Sequence, residues 1–264
     1  MAGRSTGALV LLAVALPLAL SACSPASPQA TATPAAAATG SPSSAPTSAA
    51  QAPTSAAQAP ISAMRAPAAA TDPASPLVVV NKRTPLTPID YAPPLTVPAV
   101  PLAVDGEGAQ LSPTTARAAE AMFAAAARDG APMVLLSGYR SYATQAATYD
   151  GWVARQGQEA ADVASARPGY SEHQTGFAFD IADPGGACSL MPCFKDTPAA
   201  VWVAAHGHEH GFIVRYPWWH HETTGYYYEP WHLRYIGAEA AADMHARGIP
   251  TLEEYLGLPA APTY

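Results

Sequence analysis

The chain has 264 residues, a net charge of −7 and only 13 basic residues. No basic run or patch stands out, which excludes the usual footprint of nucleic-acid binding. Ala, Pro, Ser and Thr dominate the first 75 or so residues, and every histidine lies beyond them, so about 190 residues remain for one domain with its own core.

In chain order, Arg4 precedes an apolar run over residues 8–20. The run is shorter than the ~20 residues that span a bilayer, but it suits the core of a signal peptide. It ends Leu20-Ser21-Ala22-Cys23, which resembles the bacterial lipoprotein box. That match implies a signal peptide over residues 1–22, cleavage before Cys23 and lipid on its sulfur, holding the mature N-terminus in a membrane leaflet. Residues 23–76 read as a disordered Ala/Pro/Ser/Thr-rich tether. Residues 45–51 recur as residues 52–58, and the proline in each copy forbids a continuous helix. So few large apolar side chains cannot offset the entropy of folding.

The folded domain is expected over residues 77–264. Residues 77–80 are β-prone and should open it, followed by a Pro-rich extended arm to residue 102. Ser112-Pro113 starts a helix, with a capping hydroxyl and a proline at its first position, and Gly130 ends it. Residues 133–136 read as a buried strand leading into Ser137-Gly-Tyr-Arg-Ser141. A helix over 142–156 follows, with Gln145 the odd polar member of an otherwise apolar face. Phe177 and Phe179 alternate with Ala178 and Asp180, as in a half-buried strand. Thr197-Pro198 opens a helix stopped near Gly211. Residues 212–216 read as a strand, 218–225 as a loop, 226–235 as strand-like across Pro230, and 238–247 and 252–256 as helices. Short, interleaved elements with hairpin-like pairs late in the chain predict an α+β fold with a small antiparallel sheet.

Tyr170-Ser-Glu-His-Gln-Thr-Gly-Phe-Ala-Phe-Asp180 and Tyr228-Glu-Pro-Trp-His232 carry the chemistry. His173, Asp180 and His232 can supply a three-ligand zinc set, and Glu229 the base that zinc-activated water needs. Pro230 should break the strand so that Glu229 and His232 both reach one cleft. Arg140, at a strand end, can hold a carboxylate or stabilise an oxyanion; a structural ion pair is the plainer role. Ser171 is a candidate substrate contact or a turn hydroxyl. Trp231 and Tyr216 are candidate cleft walls or packing. Cys188 and Cys193 form a disulfide most simply in an exported protein, with a thiolate metal pair as the competing reading. His206-Gly-His-Glu-His210 reads as a solvated helix end, and His220-His221-Glu222 as a surface loop. With only Lys82 and Lys195 present, neither three residues after a serine, serine-acylating S-x-x-K chemistry is absent.

From about residue 77 to 256 the chain resembles the VanY-like zinc D-alanyl-D-alanine carboxypeptidases. The resemblance rests on Ser137-Gly-Tyr-Arg-Ser141 with Gln145, Ser171-Glu-His-Gln-Thr-Gly176 to Asp180, Gly211-Phe-Ile-Val-Arg-Tyr-Pro217 and Tyr228-Glu-Pro-Trp-His-Leu-Arg-Tyr235. It implies helices flanking a small antiparallel sheet, with one Zn²⁺ in a cleft over the sheet held by His173, Asp180 and His232. Glu229 becomes the catalytic base, Arg140 a catalytic and substrate contact, Gln145 a substrate contact, and Ser171 part of the pocket. The implied reaction removes the C-terminal D-alanine from peptidoglycan stem peptides. L,D-cleavage of tetrapeptide stems and a non-catalytic wall-binding lipoprotein with structural zinc are the alternatives; a structural site has no need of Glu229. The expected partners are stem peptides and, through Cys23, the membrane outside the cytoplasm. A monomer is expected. The 188–193 loop and the doubled histidine at 220–221 are departures from the family pattern.

Overall fold

Two-residue alternation builds the sheet that carries the site. Phe179 and Ile181 share one side of their strand, and Ala178, Asp180 and Ala182 the other. On the neighbouring strand Leu233 faces Phe179, while His232 and Arg234 pair with Asp180 and Ala178. The computed structural model describes residues 66–264. The expected signal segment, Cys23 and the tether to residue 65 lie outside them. Among the described residues four strands form one antiparallel sheet: β1 (Val134–Ser137), β2 (Ala178–Ala182), β3 (Phe212–Val214) and β4 (His232–Tyr235), in the order β1-β2-β4-β3.

The helices are α1 (Ala66–Thr71), α2 (Pro113–Arg128), α3 (Tyr142–Gln156), α4 (Gln158–Ala164), α5 (Pro198–His206), α6 (His221–Thr224), α7 (Ala238–Arg247) and α8 (Leu252–Leu256). The hydroxyls of Ser112, Ser141 and Thr197 accept from backbone N–H groups in the first turns of α2, α3 and α5, satisfying donors that a helix leaves free. The main core joins α2 and α5 to the Phe179 face of the sheet through Met122, Phe123, Leu135, Val203, Phe212 and Leu233. Phe179 is fully buried, 6.2 Å from Phe123 and 5.4 Å, edge to face, from Phe212. A second cluster joins α7 and α8 to Ala70, Val79 and Ile236.

Several expectations are corrected. Residues 77–80 form no strand although 78–80 are buried: the Val78 carbonyl accepts from the Arg234 side chain, 2.6 Å, in place of a strand neighbour. The folded region starts before residue 77, because Ala70 on α1 packs into the second cluster. β2 is buried on both faces rather than one, its second face lying beneath the cleft that Asp180 lines. The strand expected over 226–235 begins only at His232, and 218–225 contains the single turn α6. Helix α4 had no clear start signal, since it follows α3 after Gly157 alone.

Replacing Phe179 with alanine leaves a cavity between α2 and the sheet. The expected loss is about 3–5 kcal/mol of unfolding free energy, read from urea denaturation.

Candidate active site

Sheet register sets the first pair of site residues. Asp180 and His232 are direct cross-strand partners, and Asp180 Oδ1 lies 3.1 Å from His232 Nδ1. His173 arrives from the 3₁₀ turn Glu172–Thr175 just before β2. Its Nδ1 donates to the Gly138 carbonyl at 2.7 Å, because a carbonyl can only accept. That fixes the tautomer and leaves Nε2 facing Asp180 Oδ2 at 3.6 Å. Gly138 is required there: a Cβ would stand 2.6 Å from the Gln110 carbonyl oxygen and 2.7 Å from that of Gly108.

Glu229 joins through a turn, not through a broken strand. Its N–H donates to Tyr216 O and its carbonyl accepts from His232 N–H, each at 3.1 Å. The tight turn across Pro230 brings Glu229 Oε2 to 4.0 Å from His232 Nδ1. The expected convergence of these two side chains is therefore present, by a different backbone route.

The motif that carries His173 contains a further charged group, beyond the expected ligands and base. Glu172 is fully buried, and its Oε1 accepts from Arg215 Nε at 2.7 Å and Arg234 Nη1 at 2.6 Å. Its Oε2 lies 3.5 Å from His232 Nε2, and both atoms are buried without a hydrogen-bond partner. Arg215 also binds both carboxylate oxygens of Glu253, at 2.9 and 2.7 Å. The available signal was charge among apolar neighbours: Arg215 follows Phe-Ile-Val and Arg234 alternates with Leu233.

Burial and neighbouring charge together set the protonation states. Burial disfavours charge on His232, but the hydrogen bond to Asp180 and the nearby Glu172 carboxylate outweigh it and lift its pKa to about 9. Burial, with Arg140 and His232 nearby, lowers His173 to about 4. Burial would raise Asp180, yet the two histidines hold it below the usual carboxylate range. Glu172 is likewise held low by Arg215 and Arg234 against its burial. Burial raises Glu229 to about 7, with Asp180 and Glu172 adding to the shift.

The ligand atoms of His173, Asp180 and His232 lie within 4.8 Å of one another. Two imidazole nitrogens and a carboxylate oxygen suit zinc. The remaining ring nitrogen of each histidine faces an outer acceptor, the Gly138 carbonyl at 2.7 Å or the Glu172 carboxylate at 3.5 Å, the support a metal-binding imidazole needs. The set therefore fits a zinc ion, with Glu229 beside it. The other histidines do not assemble such a set among the described residues. His206 pairs with Glu209, His208 stacks on His245, and His221 rests on Tyr227.

The cleft above this set, about 350 Å³, is also lined by Arg140, Ser171, Tyr216, Tyr226 and Trp231. Gln145 does not line it. It is fully buried, accepting from Arg140 Nη1 at 3.0 Å while its amide donates to Ser165 Oγ and the Ala166 carbonyl. The expectation of a direct substrate contact is corrected: Gln145 positions Arg140 and the 165–166 loop. Cys188 and Cys193 are joined as a disulfide.

Residues 108–238 match the family model VanY, D-alanyl-D-alanine carboxypeptidase. The YodJ protein of Bacillus subtilis is 38% identical over 187 residues, covering 70% of this chain and 68% of the relative. Similar solved structures include the following two. The LdcB LD-carboxypeptidase has a TM-score of 0.67 and 38% identity, with 70% of this chain and 87% of that one covered. A vancomycin-resistance D,D-pentapeptidase VanY variant in complex with Zn(II) has a TM-score of 0.57 and 33% identity, with 68% and 98% covered. The chain belongs to the VanY family of D-alanyl-D-alanine carboxypeptidases. It is a zinc-dependent carboxypeptidase.

Two outcomes are expected. Below pH 9 the metal-free site carries a proton on His232 that metal must displace. Zinc binding at pH 7 should then release between about one and two protons, one from His232 and part of another from Glu229, whose raised pKa of about 7 the cation lowers; apparent affinity should fall about tenfold per pH unit between pH 9 and 7 and more steeply below. Calorimetry in buffers of different ionisation enthalpy measures this; no net release would contradict it. Glu172→Gln leaves Arg215 and Arg234 short of a counter-charge. It should cost about 3–5 kcal/mol of stability and weaken zinc binding about 10–100-fold, read by urea denaturation and chelator competition.

Proposed function

We propose that this enzyme removes the C-terminal D-alanine from peptidoglycan stem peptides, acting as a D,D-carboxypeptidase on pentapeptides. The observation that carries the reading is one cleft holding the three-ligand set, Glu229 beside it and Arg140 on its wall. Zinc held by His173, Asp180 and His232 would acidify water and polarise the scissile carbonyl. Arg140, anchored by Gln145 and Ser137, presents its remaining N–H groups to the terminal carboxylate of the peptide. Glu229 accepts a proton from the attacking water and returns it to the amine nitrogen as the C–N bond breaks. The positive charge of a bound cation would lower Glu229 from its raised value, leaving it ionised for the first of these transfers. Ser171, Tyr216 and Trp231 wall the substrate, and Tyr216 stays neutral because burial pushes its hydroxyl well above the ordinary range.

L,D-cleavage of tetrapeptide stems is the second reading, favoured by the similarity to LdcB. Both readings place the work outside the cytoplasm. The lipoprotein box at Cys23 supports anchoring there, and among the described residues no helix is long and apolar enough to cross a membrane. We read the enzyme as a monomer.

Mass spectrometry of defined pentapeptide and tetrapeptide muropeptides separates the two specificities. D-Alanine release from the pentapeptide should stop with chelator. It should fall about 10²–10⁴-fold in Glu229→Ala, while zinc affinity in that variant stays within a few-fold of the parent. Release that survives chelation, or a Glu229→Ala enzyme of full activity, would end the proposal.

A further inference from the structure

The disulfide-closed loop after β2 is the part of the cleft that the family pattern did not supply. Cys188 packs against the main core and Phe194, just past Cys193, is fully buried in it, so both feet of the loop are anchored. Between them Leu190 stands on the cleft wall with half of its surface exposed (49%). Cys188 and Leu190 both adopt φ of 54°, a left-handed conformation that bulky residues rarely take without a constraint. The cross-link between Cys188 and Cys193 and the Met191 N–H to Cys188 carbonyl bond, 3.0 Å, hold that shape. An apolar side chain is thus presented at an open cleft by backbone geometry it would not choose alone.

Strand register gives the loop its position relative to Arg140. Ser137 at the end of β1 pairs with Asp180, so the turn bearing Arg140 leaves beside the ligand set. β2 runs on to Ala182, opposite Val134 at the start of β1, before the loop begins. Arg140 and Leu190 both line the cleft, carried by segments that leave the β1–β2 pair at opposite ends. Trp231 lies at the Leu190 end, its carbonyl accepting from Ile181 N–H at 3.0 Å.

We infer that Leu190 is a specificity residue, held by the Cys188–Cys193 loop against the aliphatic side chain of the substrate residue that precedes the terminal pair. This rests on the proposed function only in taking Arg140 as the carboxylate end of the cleft. A longer peptide meets Leu190; a minimal one, ending in an acetyl group just before the last two residues, does not extend to it. Losing a few methylene contacts in such a pocket changes discrimination by roughly tenfold.

The test compares the zinc-loaded parent, Leu190→Ala and Cys188→Ser/Cys193→Ser. KM is measured for a pentapeptide with a lysine-type third residue and for acetyl-D-Ala-D-Ala, and the Kd of the pentapeptide by calorimetry. In Leu190→Ala the pentapeptide KM should rise about tenfold more than that of the short substrate, with a matching rise in Kd and little change in kcat. The double serine variant should move the same way; if it does not fold, Leu190→Ala carries the test alone. Equal effects on both peptides, or none, overturn the inference. A parent that binds the pentapeptide but cleaves another bond overturns the proposed reaction, while the Kd of Leu190→Ala still decides the role of the loop. A parent that does not bind it overturns both.

Discussion

A carboxylate without solvent contact governs the geometry of the cleft. Glu172 accepts from two buried arginines with one oxygen and faces His232 with the other. Removing ions from water costs several kcal/mol each, and only close pairing and full hydrogen bonding offset it. Here Glu172 and Glu253 balance Arg215 and Arg234, all four fully buried. The charges cannot separate without exposing one of them to a medium of low dielectric, so the segments that carry them are fixed relative to each other.

Those segments span the domain. Glu172 belongs to the turn that delivers His173; Arg234 lies on β4, two residues after His232 and on the same face. Arg215 follows β3, and Glu253 comes from α8 near the C-terminus. Arg234 also donates to the carbonyls of Pro76 and Val78, and Asn81 donates to Glu253. The opening arm and the closing helix are thereby latched beneath the ligand set. The Phe179 side of the same sheet is a conventional apolar core, so one four-stranded layer separates a hydrophobic half from a polar, charge-balanced half.

On this frame the site uses two short-range devices. Cross-strand pairing sets Asp180 against His232, and the turn at Pro230 brings Glu229 back over them. A backbone carbonyl, that of Gly138, selects the tautomer of His173, and the crowding around Gly138 explains why no side chain is possible there. Arg140 owes its position to Gln145, whose burial at the base of α3 makes it a support and not a contact. Polar side chains on an apolar helix face were legible in the sequence; which way their hydrogen bonds run was not.

The sequence by itself determined most of the helix limits, because capping hydroxyls, first-turn prolines and terminal glycines act within a few residues. It also contained the candidate ligands and the proposed base, because zinc chemistry restricts such groups to a few side chains and two motifs held all of them. It could not determine that residues 78–80 would be buried without strand pairing, or that Glu172 would anchor the site, since both depend on Arg234 arriving from far along the chain. Only the tertiary structure decided the turn at Glu229, the inward role of Gln145 and the place of Leu190 on the cleft wall. Local propensity acts over a turn or two of chain, whereas buried charge pairing and strand register are fixed by segments that meet only on folding.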